Sequence, residues 1–297
     1  MLGATMVAAA LVGLLVPSAS GSFPGRPGKI AVSWGVTGTK RFHLQLITPS
    51  PRGKRRTILN APVRSVFAQG APAFSADGTQ IAFQLDGDIY LVGSDGSSLR
   101  QVTGDSNRDT DPVFSPDGSS LVFARTGPNG SDIYRIGTDG SGLSQLTTDP
   151  GHDYDPAWSP NGKVIAFVSN RSGSSHTWLM RANGSYQHIL VPDKPRRADG
   201  QVQPDFAPNG RRLVVSKGAD LVTMRLDGSH RRVLDRAGIL IEPTYSPDGR
   251  RIAAIEVSKK SRKLSKVVVM RASNGAHRRT IRRRIPNIFG IGWQPRR

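Results

Sequence analysis

Four side chains with acid or amide chemistry recur at one position of a repeat. Asp111, Asp155, Gln203 and Glu242 each stand three residues before an aromatic that opens a near-identical tetrapeptide; Ala71 and Gly290 fill that position in two further copies. Asp109 and Asp153 lie two residues earlier in the copies that already carry an aspartate. Carboxylates grouped without compensating charge repel one another and raise each other's pKa. Such a group makes chemical sense around a cation: Ca²⁺ or Mg²⁺, which take hard oxygen ligands, or the Lys or Arg side chain of a bound peptide. A second reading needs no ligand, because an aspartate ahead of proline also caps the turn into a strand. Nucleophilic hydrolysis finds no support, since no Gly-x-Ser-x-Gly elbow occurs in the chain. The histidines (His43, His152, His176, His188, His230 and His277) lie in unrelated contexts with no pair at metal-ligand spacing, and read as lone surface residues.

The tetrapeptides show what must position these groups. They begin at Phe74, Phe114, Trp158, Phe206, Tyr245 and Trp293, spaced 40, 44, 48, 39 and 48 residues apart. A period of about 40–50 residues is the signature of a repeat architecture. In the copy at Phe114, Asp111–Ser115 reads as a short strand and Pro116-Asp117-Gly118 as a turn. Leu121–Ala124 is a buried second strand and Asp132–Ile136 an alternating third. A turn at Thr138–Ser141 leads to a fourth strand, Leu143–Thr147. The fold expected is therefore all-β, a six-bladed β-propeller of four-stranded antiparallel blades. Lys29–Trp34 matches a second strand, and Gly290–Gln294 an innermost strand with nothing after it. Pairing the two closes the ring with the C-terminal strand completing the first blade, and removes open edges. On that arrangement Asp109, Asp111, Asp153, Asp155, Gln203 and Glu242 gather near one mouth of the central channel.

The unit Asp-Pro-x-aromatic-Ser-Pro-Asp-Gly, followed by Ile-Ala-Phe, Asp-Ile-Tyr, Asp-Gly and Leu-Thr, resembles the WD-like β-propeller repeat of the TolB family. The propellers of dipeptidyl-peptidase-type proteins are similar. The resemblance spans roughly residues 28–297, without the α/β domain that TolB carries ahead of its propeller. It implies a single propeller domain acting as a non-enzymatic module of the bacterial cell envelope that binds a protein or a wall polymer. The alternative is a propeller enzyme, a lyase or hydrolase acting on a polyanionic glycan. Lyases of that type would be expected to carry several axial histidines, and no histidine here aligns with an axial position.

Residues 1–22 read as a removable signal peptide or an N-terminal anchor. Ala4–Val16 is apolar and shorter than a membrane span, and Pro17–Ser20 is small enough for leader cleavage, although no Lys or Arg precedes Arg26. The expected location is periplasmic or extracellular, with no span after cleavage and a monomeric state. The net charge of +19 is uneven: beyond Arg250, Glu256 is the only acid. Lys259, Lys260, Arg262, Lys263, Arg278, Arg279, Arg282, Arg283 and Arg284 form a basic rim suited to an anionic wall polymer or lipid. Nucleic acid is disfavoured, because Lys259–Lys266 holds no aromatic on which a base could stack.

Overall fold

The computed structural model describes residues 22–296, except 37–38, 65–69, 129, 192–200, 236–237 and 258–263. Every regular element among them is a strand. The first sheet joins both ends of the chain: β1 (Arg26–Val36), β2 (Arg41–Ile47) and β3 (Arg55–Pro62), with β24 (Ile288–Arg296) on the inner edge. The second holds β4 (Ala73–Phe74), β5 (Gln80–Leu85), β6 (Asp88–Gly93) and β7 (Arg100–Gln101). Two more consist of β16 (Gln201–Phe206), β17 (Arg212–Lys217), β18 (Asp220–Arg225) and β19 (Arg232–Asp235), then β20 (Ile239–Tyr245), β21 (Arg251–Val257), β22 (Leu264–Arg271) and β23 (Arg279–Pro286). The remaining strands form one eight-stranded sheet. They are β8 (Arg108–Phe114), β9 (Ser120–Gly127), β10 (Gly130–Gly137), β11 (Ser144–Gln145), β12 (Gly151–Trp158), β13 (Val164–Ser169), β14 (His176–Arg181) and β15 (His188–Ile189).

The expectation of six four-stranded blades is thus corrected: four four-stranded blades stand as separate sheets. The fusion has a local cause. Gly130 (φ 140°) and Gly151 (φ 128°) let β10 and β12 meet in a two-residue parallel pairing, Gly130 with Gly151 and Ser131 with His152. A Cβ on Gly130 would lie 2.2 Å from the Gly151 carbonyl oxygen, so only glycine permits the approach.

β4, β8, β12, β16, β20 and β24 touch in that order, and β24 returns to β4. All six repeat aromatics are buried beside this ring of strands. The turn after each aromatic is held locally. Ser115 donates to Asp117, which accepts from the Ser119 amide, and the same bonds recur at Ser75–Asp77 and Ser246–Asp248. Those bonds hold the Asp117 carboxyl below the usual carboxylate range, so these aspartates are occupied by turn geometry. The sheets alternate with apolar layers; one joins Ile30 and Val32 of β1, Ile255 and Val267 of the preceding sheet, and Ile291 and Trp293 of β24.

Closure follows the expected pairing: Ile30 with Trp293, Ala31 with Gly292, Val32 with Ile291 and Ser33 with Gly290. Ile288, Phe289, Ile291 and Trp293 are all buried by it. Burying one such side chain is worth about 1.5–3 kcal/mol, and a domain's whole stability is about 5–15 kcal/mol. Deleting residues 286–297 is therefore expected to abolish cooperative thermal unfolding in calorimetry; an unchanged melting curve would contradict closure.

Candidate axial site

The strands lining the ring break at one equivalent position. Pairing shifts between Thr110 and Val113, Tyr154 and Ala157, Val202 and Asp205, and Ile241 and Thr244. The residue at the break is left-handed each time: Asp111 (φ 59°), Asp155 (50°), Gln203 (58°) and Glu242 (56°). The cause is the next residue, Pro112, Pro156, Pro204 or Pro243, which has no N–H for the ladder and forces a bulge. A side chain at positive φ costs about 1–3 kcal/mol, so each copy stores strain where it carries its polar group.

All four groups are at most 2% exposed. Gln203 Nε2 donates to Glu242 Oε1 at 2.6 Å, and the Glu242 amide donates to Gln203 Oε1 at 3.2 Å. Glu242 Oε2 is buried with no hydrogen-bond partner, and neither Asp111 oxygen makes a hydrogen bond of good geometry, the nearby Thr110 hydroxyl included. Burial pushes Asp111 up to about 7, against the Thr110 hydroxyl and Arg108. Burial also raises Glu242 well above its ordinary value, and the charges of Asp155 and Asp111 add to the shift. The carboxyls from three strands are therefore close enough to sense one another. The other arc of the ring is pinched: a Cβ on Gly290 would lie 2.2 Å from that of Ala71. A Cβ on Gly70 would lie 3.0 Å from both Asp111 Oδ1 and Gln84 Oε1, which adds the buried Gln84 amide to the cluster.

Asp109 and Asp153 do not join this group. Arg125 Nε and Nη2 grip the two oxygens of Asp109, each at 2.7 Å, while Nη1 reaches Asp105 at 2.9 Å. The Arg125 guanidinium lies 5.6 and 5.4 Å from the ring centres of Phe123 and Tyr134. Arg171 repeats the clamp in the next copy, bonding Asp153 at 2.5 Å and also Asp149, over Phe167 and Trp178. These aspartates tie the inner strand of each repeat to the strand beside it in the same repeat, and Trp178 is half-buried in the clamp. Among the described residues no three His, Asp or Glu side chains are arranged to hold a metal ion.

Lys259, Lys260, Arg262 and Lys263 lie outside the described residues. Arg278 is engaged, donating to Asp235 at 2.8 Å and Glu256 at 3.1 Å. Arg279 and Arg283 are exposed at and along the outer strand β23, and Arg282 is half-buried with its pKa lowered by burial and by Arg55. Arg284 also lies on β23. The reading of all histidines as surface residues fails at His176, which is 2% exposed with Nδ1 2.8 Å from the Ser174 carbonyl oxygen. Trp34 is half-buried, stacked on His43 at 4.0 Å.

Sequence reasoning missed Asp205. It stands one residue before its aromatic, where the other copies have Ala73, Val113, Ala157, Thr244 and Gly292. A carboxylate among small and apolar siblings was the available signal. It is fully buried, accepts from the Tyr245 amide at 2.7 Å and the Ser22 hydroxyl at 2.6 Å, and burial pushes it up to about 7.

Two outcomes follow from this geometry. Arg125→Ala leaves a buried carboxylate unpaired and is expected to cost about 3–5 kcal/mol in denaturant unfolding; a loss under 1 kcal/mol would make the clamp incidental. Asp111 and Asp205 hold their protons in the folded chain but lose them near pH 4 when unfolded. Their stabilising effect is complete below about pH 4 and lost as pH rises to about 7. The melting temperature should fall between about pH 4 and 7, and Asp111→Asn should flatten part of that fall; a flat wild-type profile would contradict it.

The model of the TolB beta propeller domain matches residues 114–281. A TolB homolog of Chlorobium luteolum is 47% identical over 45 residues, 15% of this chain and 10% of that protein. The matched segment thus spans about a tenth of that relative's length. Among solved structures, TolB from Acinetobacter baumannii superposes with a TM-score of 0.76 at 19% identity, covering 91% of this chain and 67% of that one. A putative TolB from Agrobacterium tumefaciens gives 0.69 at 18% identity, covering 90% and 99%. Likenesses at such identity establish a shared fold.

Proposed function

Because the chain belongs to the TolB β-propeller domain family, we propose that it is an exported, non-enzymatic binding module of the bacterial cell envelope, built as a ring of six sequence repeats. On this reading the eight-stranded sheet counts as two repeats bridged at Gly130 and Gly151. The ligand is a protein segment that offers a Lys or Arg side chain to the axial cluster. One observation carries this: Asp111 and Glu242 present buried, unpartnered carboxyl oxygens on a strained bulge, in a chain of net charge +19. An unsatisfied buried polar group costs about 1–3 kcal/mol, a cost that a donor brought by a ligand would relieve. A basic side chain supplies donors and charge together, and would draw both carboxyls back toward the ionised form. A divalent cation is the lesser candidate, since the described carboxyls are not arranged as its ligands.

Arg279, Arg282 and Arg283 of β23 supply a second, weaker surface for an anionic envelope polymer. Surface charge of this kind acts within about 10 Å at 0.1 M ionic strength, so such binding is salt-sensitive.

Capture from envelope extract with the propeller as bait tests the reading. Wild type should retain a partner that Asp111→Asn, Glu242→Gln bait releases while still unfolding cooperatively. Equal capture by both baits, or none by either, would overturn the axial assignment. Retention of anionic vesicles that is unaffected between 0.05 and 0.5 M salt (roughly a threefold change in screening length) would remove the basic strand from the account.

A further inference from the structure

The chain enters the ring from its N-terminal side through two buried residues. Ser22 and Phe23 are each 1% exposed. The Ser22 hydroxyl donates to Asp205 Oδ2 on β16, accompanies Thr244 at 3.4 Å, and reaches the Tyr245 carbonyl on β20 at 2.9 Å. Its neighbour Phe23 packs in a different part of the ring, in the apolar cluster of Ala82, Ile89, Phe114 and Phe123. Consecutive residues that serve strands on opposite sides of the ring must lie across its axis. Gly25 then bonds the Pro247 carbonyl, and Arg26 begins β1.

Asp205 is the polar centre of this contact. It is fully buried, its Oδ1 has no hydrogen-bond partner, and among the described residues no Lys or Arg pairs with it. The Ser22 backbone N–H is itself one of the donors that act on this carboxylate. While Ser22 is joined to Gly21, that nitrogen is an amide with one proton and no charge. The residues just upstream, Ala19-Ser20-Gly21, put small side chains at the third and first positions before the Gly21–Ser22 bond, the pattern that leader-cleaving enzymes require.

We propose that a signal-peptidase-class endopeptidase cuts between Gly21 and Ser22, and that the new Ser22 α-ammonium forms a buried ion pair with Asp205 that locks the mature N-terminus across the axis. The inference rests on the export reading above. The step is a hydrolysis: water adds across the amide, Gly21 leaves as a carboxylate, and Ser22 keeps the nitrogen as an ammonium with three donors. One proton-rich cation then stands where one neutral donor stood, beside a carboxyl oxygen that lacks a partner. A buried pair of this geometry is strongly sensitive to loss of either member, so processing and folding become linked.

Two arms test this. Intact mass of the secreted chain should place its first residue at Ser22; a secreted chain cut elsewhere overturns the cut site while leaving export intact, and a chain never exported overturns the export reading itself. Separately, chains made in the cytosol with a removable tag are compared, one beginning at Ser22 and one at an added Gly-Ser-Gly before it. The Ser22 form should melt several degrees higher, and Asp205→Asn should erase the difference. An equal melting temperature, or a gap that survives Asp205→Asn, overturns the ion pair. If Asp205→Asn does not fold, acylation of the α-amine at pH 7 decides: at least tenfold slower in the folded Ser22 form than in urea supports the pair, and equal rates overturn it.

Discussion

The rest of the molecule depends on the backbone pairing of β1 with β24. Every other sheet is built from strands close in sequence, whereas this one joins residues 26–36 to residues 288–296. Until it forms, both strands carry unpaired N–H and C=O groups, and Trp293 and Ile291 lack the apolar layer they complete with Ile30 and Ile255. Closure also fixes the axis, because β24 must touch both β20 and β4. Polar groups at one repeat position meet only when the ring is shut. A site made this way has no local existence, and its strength is tied to the closure of the whole chain.

Against that constraint the inner strands carry two kinds of buried charge with different fates. Asp109 and Asp153 are neutralised in place by Arg125 and Arg171, whose guanidiniums lie over aromatic rings and tie the inner strand to its neighbour within the same repeat. Asp111 and Glu242 sit on left-handed bulges, and of their carboxyl oxygens only Glu242 Oε1 is bonded, by Gln203. The first pair strengthens the fold. The second costs the fold strain and desolvation together, a pattern that fits a group kept for a ligand.

The repeat and its closure were legible because an aromatic, a proline and a turn glycine recur with little variation, and each has a mechanical reason to recur. Position three before the aromatic was legible for the same reason. The parallel bridge at Gly130 and Gly151 was not, since two glycines in separate loops read as turn residues until their backbones are seen side by side. Asp109 and Asp153 looked equivalent to Asp111 and Asp155, because sequence spacing does not reveal that an arginine 16 or 18 residues later returns on the adjacent strand side. Asp205 was hidden by the opposite error: attention to the repeated position passes over a single departure one residue before the aromatic. The basic rim was visible as charge, but Arg278 spends its charge on Asp235 and Glu256.

The central claim is that ring closure gathers carboxyl groups at the axis and holds them protonated until a basic side chain arrives. Carbon-13 NMR titration of the aspartate and glutamate carboxyls tests it most directly. The account predicts that Asp111 titrates near 7 and Glu242 well above the usual glutamate range in the free protein, and that both move down when a captured partner is added. Ordinary titration near pH 4 for both groups in the folded, unliganded chain would contradict it.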